Sequence, residues 1–112
     1  MSFAVSNEEV QALFDKELKK ANENNPQFHS SHEAYAVLLE EVEEAKEEME
    51  DLNLYTGFIW NDVKNGGCLR GDLKWAKEFA SSLIREAIQI GAMCDKFLDF
   101  LGEYEKKEGG DV

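Results

Sequence analysis

One proline and one glycine pair decide what this chain can become. Pro26 is the only proline among 112 residues, and Gly66-Gly67, with Gly71 close behind, is the strongest glycine cluster. No stretch of useful length alternates apolar and polar residues as a half-buried strand requires. Between the breaks, apolar residues recur three and four apart, the spacing of one helix face. The chain therefore reads as all-α, three helical blocks with no internal repeat.

The first block spans about 6–21. Ser6, with Glu9 three positions on, fits a capping box, and Val10, Leu13, Phe14 and Leu18 share a face. "NENNPQF" ends it, because Asn-rich sequence and the position before proline both disfavour helix. The second block, about 30–65, opens on Ser30 as cap with Glu33 as its box partner. Its apolar stripe runs Tyr35, Leu38, Leu39, Val42, Ala45, Met49 and Leu52, and continues through Phe58, Ile59 and Val63, with a bend expected near Asn53 or Gly57. "KNGGCLRGD" supplies a glycine C-cap. The third block, about 72–104, takes Asp72 as its cap. Its stripe is Ala76, Phe79, Ala80, Leu83, Ala87, Ile90, Cys94, Phe97 and Leu101. Residues 105–112 are expected to fray. Two long helices with wide apolar faces leave one side wet unless a second copy covers it. The expectation is one all-α domain over 1–112, an antiparallel helical bundle of long helices completed by oligomerisation.

Composition restricts the partners. Hydrophobic residues make up 43% and aromatics 11%, enough for a core, while the net charge of -12 opposes duplex nucleic acid and anionic membrane surfaces. No apolar run reaches membrane-span length. "MSFAVSNEEV" lacks a basic segment followed by an apolar one, so no signal peptide is expected. Cys68 and Cys94 match no zinc or CxxC spacing and read as two reduced thiols of a cytoplasmic protein. No Walker loop, GxGxxG or GxSxG occurs.

The acidic stretch "HEAYAVLLEEVEEAKEEMED" carries the chemistry. At 100° per residue, Glu41, Glu44 and Glu48 form a ridge beside the apolar stripe, while Glu43, Glu47 and Glu50 project elsewhere. On the third helix Ser82, Glu86, Gln89 and Met93 flank the stripe. If these flanks meet, Glu41, Glu44, Glu48 and Glu86 converge as ligands for one or two Mg²⁺ ions, since hard cations take carboxylate oxygens. Acidic helices are more often simply solvated, with Lys46, Lys74, Lys77 and Arg85 available to pair. His29 and His32 read as helix-start residues. Trp60 and Trp75 read as core or subunit interface before base-stacking platforms.

"LLEEVEEAKEE", followed later by "REAIQIGAM" and led in by "FHSSHEAYAVLLEE", resembles the all-α nucleotide pyrophosphohydrolase superfamily of MazG-like proteins, in particular its small phage- and prophage-associated members. The resemblance covers about residues 26–101. It implies a dimeric or tetrameric helical bundle that hydrolyses a nucleoside triphosphate to monophosphate and pyrophosphate with Mg²⁺, or Mn²⁺ in its place. It implies metal ligation by an ExxE pair, matched by Glu41 and Glu44, and by an ExxD pair whose first position is Glu86. The Asp position holds Gln89, a poorer ligand with one carbonyl oxygen and no charge. Either Glu48 replaces the lost charge, or the fold persists with hydrolysis weakened or gone. In the active reading Glu40 or Glu48 orients or deprotonates the attacking water, and Lys74 or Arg85 stabilises the leaving pyrophosphate. The competing reading is a non-catalytic helical oligomer with a solvated acidic face.

Overall fold

A computed structural model describes the backbone of residues 2–107 and the side chains of residues 2–102. Three helices occur among them, α1 (Asn7–Asn24), α2 (Ser31–Asn65) and α3 (Leu69–Lys107), and no strand. None is long and apolar enough to cross a membrane. The described part of the chain is thus all-helical.

Each helix starts and stops for a local reason. At α1 the Ser6 hydroxyl accepts from the Glu9 N–H at 3.1 Å and the Glu9 carboxylate accepts from the Ser6 N–H at 3.2 Å, closing the capping box. α1 runs one turn past the expected end before Pro26 halts it. At α2 only half of the second box forms. Ser30 accepts from the Glu33 N–H at 3.1 Å, but the Glu33 carboxylate turns to His29 Nδ1, also at 3.1 Å. α2 then continues unbroken through Asn53 and Gly57 to Asn65. It ends at Gly66, whose φ of 75° is the left-handed conformation that glycine adopts at no steric cost. The N–H groups of Gly66 and Gly67 both donate to the Asp62 carbonyl, at 2.8 and 3.2 Å, which satisfies an otherwise orphaned helix-end acceptor.

α3 departs from expectation at both ends. It begins at Leu69, so Asp72 sits in its first turn instead of capping it, and the Asp72 N–H already donates to the Cys68 carbonyl at 3.2 Å. Its helical backbone reaches Lys107, three residues into the stretch expected to fray. Residues 108–112 of that expected tail lie outside the described residues.

The chain divides into two compact units, Met1–Glu41 with Ile88–Val112, and Val42–Ala87. In the first, Phe28, Ala34, Ala92 and Met93 are buried, with Leu18, Ala21, Val37, Leu38, Phe97 and Phe100 packed on them. Phe28, held in the α1–α2 connection, meets Phe97 edge to face at 6.4 Å between centroids. Burying such a ring stabilises by about 1.5–3 kcal/mol. The inward face of α3 here differs from the expected stripe, for Ala87 and Cys94 are exposed whereas Ala92, Met93 and Lys96 are buried. The cause is close approach of α1. A β-carbon on Gly91 would collide with the Phe14 ring, so the smallest residues of α3, not its largest, mark the contact.

The second unit is a helical hairpin. Asp62 meets Asp72 near the turn, and Tyr55 meets Phe79 further away, with ring centroids 5.3 Å apart. Along α2 the less exposed residues include Ala34, Leu38, Glu41, Ala45, Glu48, Leu52, Tyr55, Ile59 and Asp62, alternating four and three apart. Along α3 they include Asp72, Ala76, Phe79, Leu83, Glu86, Ile90, Met93, Phe97 and Phe100, with the same alternation. This is the 3.5-residue repeat of helices packed side by side. Tyr35, Leu39, Val42, Met49, Phe58 and Val63, counted in the expected α2 stripe, lie exposed because they fall off this narrower seam.

Candidate functional site

The heptad seam has an anomaly that bears on chemistry. Five of its positions, Glu41, Glu48 and Asp62 on α2, and Asp72 and Glu86 on α3, carry carboxylates where a seam ordinarily carries apolar residues. Such groups are costly to bury unless hydrogen-bonded or matched to positive charge.

Two of them form a pair at the turn. Asp62 and Asp72 share a hydrogen bond that raises the Asp72 carboxyl above its ordinary range, with burial and the Asp62 charge adding to the rise. Gly67 belongs to the same corner, for a β-carbon there would strike the Asp62 carboxylate.

The others gather further from the turn. Glu44 and Glu86 lie in the second unit, and Glu41 precedes Glu44 by three residues on the same unbroken helix. One carboxylate oxygen from each of Glu41, Glu44 and Glu86 lies within 4.8 Å of the other two. Glu41 and Glu86 are half-buried and Glu44 is exposed. Opposed ligands of an octahedral Mg²⁺ stand about 4.2 Å apart, from a metal–oxygen distance of about 2.1 Å. Three ligands cannot all be opposed, and adjacent ones stand about 3.0 Å apart at the same metal–oxygen distance, so the three carboxylates must draw closer together to ligate one ion. Two full negative charges 4.8 Å apart repel by about 1 kcal/mol in water and about 3.5 kcal/mol at an effective dielectric of 20. A cation between them relieves that. The donor set is all oxygen, which suits Mg²⁺, Mn²⁺ or Ca²⁺ and not a soft metal.

The remaining sequence-derived residues are placed as follows. Glu48 is half-buried on the seam, one turn after Glu44, and is not among the three converging carboxylates. Glu40 is exposed. Gln89 is half-buried on α3, three residues beyond Glu86. Arg85 is exposed and donates to the hydroxyls of Ser81 and Ser82 on its own helix, each at 3.2 Å. Lys74 is exposed and lines a shallow cavity of about 490 Å³ with Leu69, Arg70, Leu73 and Lys77. His29 engages Glu33 and His32 is exposed, in keeping with helix-start roles. Trp60 and Trp75 are exposed, Trp75 leaning on Phe79 and Trp60 beneath the Lys64 ammonium.

Two features escaped the sequence. The Asp62–Asp72 pair depends on the register of the hairpin, which a three-residue turn sets and no local pattern announces. Lys96 is buried, with only 6% of its surface exposed, although lysine is among the residues least often buried. Its only sequence signal is its place three residues after Met93 and four after Ala92. No family model, curated protein or solved structure matches this chain.

Proposed function

We propose that this chain is a MazG-like nucleoside triphosphate pyrophosphohydrolase, an antiparallel helical bundle that works as a homodimer or homotetramer with Mg²⁺. The observation that carries the reading is the convergence of Glu41, Glu44 and Glu86 within 4.8 Å. Glu41 and Glu44 are also the ExxE pair, and Glu86 the first acidic position of "REAIQIGAM", on which the resemblance rests.

In this reading Glu41, Glu44 and Glu86 hold the ion, with the Gln89 carbonyl oxygen as a weak further donor. The bound ion supplies charge neutralisation for the triphosphate and electrophilic assistance to attack at phosphorus. Glu48, one turn along the seam and half-buried, orients the attacking water and accepts its proton. Glu40, being exposed, is the weaker choice for that role. Lys74 and Arg85 are the cations proposed to meet the leaving pyrophosphate. Arg85 must first leave its serine partners to do so.

One observation favours the competing reading, a helical oligomer without catalysis. Gln89 stands where the resemblance requires aspartate, which removes one negative charge from the ligand set. The two readings separate in one series. Mg²⁺ is titrated calorimetrically into the wild type and into Glu41→Gln and Glu86→Gln, and pyrophosphate release is then screened over ribo- and deoxyribonucleoside triphosphates. The hydrolase reading expects saturable Mg²⁺ binding, pyrophosphate release, and loss of both by at least about tenfold in each folded variant. Binding without release for any triphosphate would leave the non-catalytic oligomer. No binding at millimolar Mg²⁺ would remove the enzyme altogether.

A further inference from the structure

The first unit holds a cavity of about 500 Å³ between the α1–α2 connection and the later turns of α3. Pro26, Phe28, Leu98 and Phe100 give it an apolar wall, and Asn22, Lys96 and Asp99 give it polar groups. Its volume falls within the range of small-molecule sites.

Lys96 makes this cavity more than a packing gap. Only 6% of the residue's surface is exposed. Nζ donates to the Asn25 carbonyl at 2.6 Å and stands 4.7 Å from the centroid of the Phe28 ring. Among the described residues no carboxylate forms an ion pair with it. An ammonium has three donors, and the carbonyl uses one. A buried charge without a counter-charge is costly, and the usual remedy is an anion. A second group in the same wall is also unfinished, because Asn22 Oδ1 is buried with no hydrogen-bond partner.

We propose that the cavity binds a small organic monocarboxylate with a flat apolar body, its carboxylate paired with Lys96 and its body laid against Phe28 and Phe100. Asn22 Oδ1 remains to accept from a donor on that body. A single ammonium, with Asp99 also on the lining, suits one negative charge better than two, so carboxylate is favoured over phosphate. The chain's overall charge of -12 points the same way, since each further anionic charge on the ligand is repelled on approach. The cavity shares no residue with the Glu41–Glu44–Glu86 group, so this proposal stands or falls apart from the hydrolase reading.

The test is a titration of the full-length protein followed by amide chemical shifts, with benzoate, its neutral isostere benzamide, and phenyl phosphate as probes. Benzoate should shift the signals of Phe28, Lys96 and Phe100 along a saturating curve, and benzamide should bind about tenfold more weakly or worse. Lys96→Met keeps the buried stem and removes the charge, so it should lose benzoate binding by a similar factor, whereas Lys96→Arg should retain it. Should Lys96→Met fail to fold, the benzoate–benzamide comparison in the wild type decides alone. Equal binding of those two probes would overturn the proposal, as would the absence of shifts at these residues at millimolar benzoate. Tighter binding of phenyl phosphate than of benzoate would overturn the choice of carboxylate.

Discussion

Gln89 stands three residues beyond Glu86 on α3, half-buried, where the proposed family's pattern has aspartate. Its amide offers one neutral oxygen, whereas a carboxylate would offer two sharing a full charge. If residue 89 faces the ion, Gln89→Asp adds that charge and should tighten Mg²⁺ binding by about tenfold or more in calorimetry. Unchanged affinity would place residue 89 away from the ion and would shift attention to Glu48 as the fourth acidic group. The three converging glutamates were legible in the sequence because helical spacing alone puts Glu41 beside Glu44, and the "REAIQIGAM" segment supplied Glu86. Lys96 was not legible. A lysine inside an apolar stripe reads as a surface residue, and only the aromatic ring and the backbone carbonyl on either side of its ammonium make burial tolerable.

At the scale of elements, the three helices were legible from capping residues, proline and glycine, because those signals act within a few residues of one another. The start of α3 was misjudged at Asp72 for a physical reason. Aspartate is a strong N-cap residue, but here its side chain is engaged across the hairpin by Asp62, and the helix has already begun at Leu69. That engagement has a pH consequence. The Asp72 carboxyl is raised in the folded state, so its contribution to stability is complete below the unfolded carboxyl value. It is lost as pH rises through the raised folded value. Asp72→Asn keeps a hydrogen-bonding partner for Asp62 without the second charge. Thermal melts over a pH series should show the variant gaining on the wild type as pH rises from the acid range towards neutrality. Parallel curves would mean that Asp62 does not raise the Asp72 carboxyl in the folded state. The α1–α3 contact gives a second expectation at this scale. Gly91→Ala gains about 1 kcal/mol of helix propensity but forces the Phe14 ring aside, an overpacking cost of about 1–3 kcal/mol. The net should be a loss on the order of 1 kcal/mol in urea unfolding. A midpoint raised by the full propensity gain would show that Phe14 moves without cost.

At the scale of the molecule, the second unit poses the question of what covers it. Two helices enclose no interior, and no residue from Val42 to Ala87 is buried. Trp60 and Ile84 are each 60% exposed and Trp75 57%, with Met49, Leu54, Phe58 and Leu73 also exposed. Scattered single hydrophobes are normal on a surface, but this many on one hairpin give it a large exposed apolar area that burial against a partner would favour. A net charge of -12 opposes the approach of a second copy, whereas apolar burial favours it. The two effects respond oppositely to salt. Screening removes long-range repulsion once the Debye length falls to about 8 Å at physiological ionic strength, and leaves apolar burial intact. Self-association, read by sedimentation velocity at micromolar protein, should therefore strengthen as salt is raised from low to physiological concentration. Ile84→Glu places a charge on the uncovered face without touching any buried residue, so it should leave the isolated chain's helices formed and shift the sedimenting species to monomer. A wild type that stays monomeric at every salt concentration would mean that the apolar face awaits a different partner. Association that weakens with salt would mean that charge pairing, and not burial of the tryptophans and Ile84, holds the copies together.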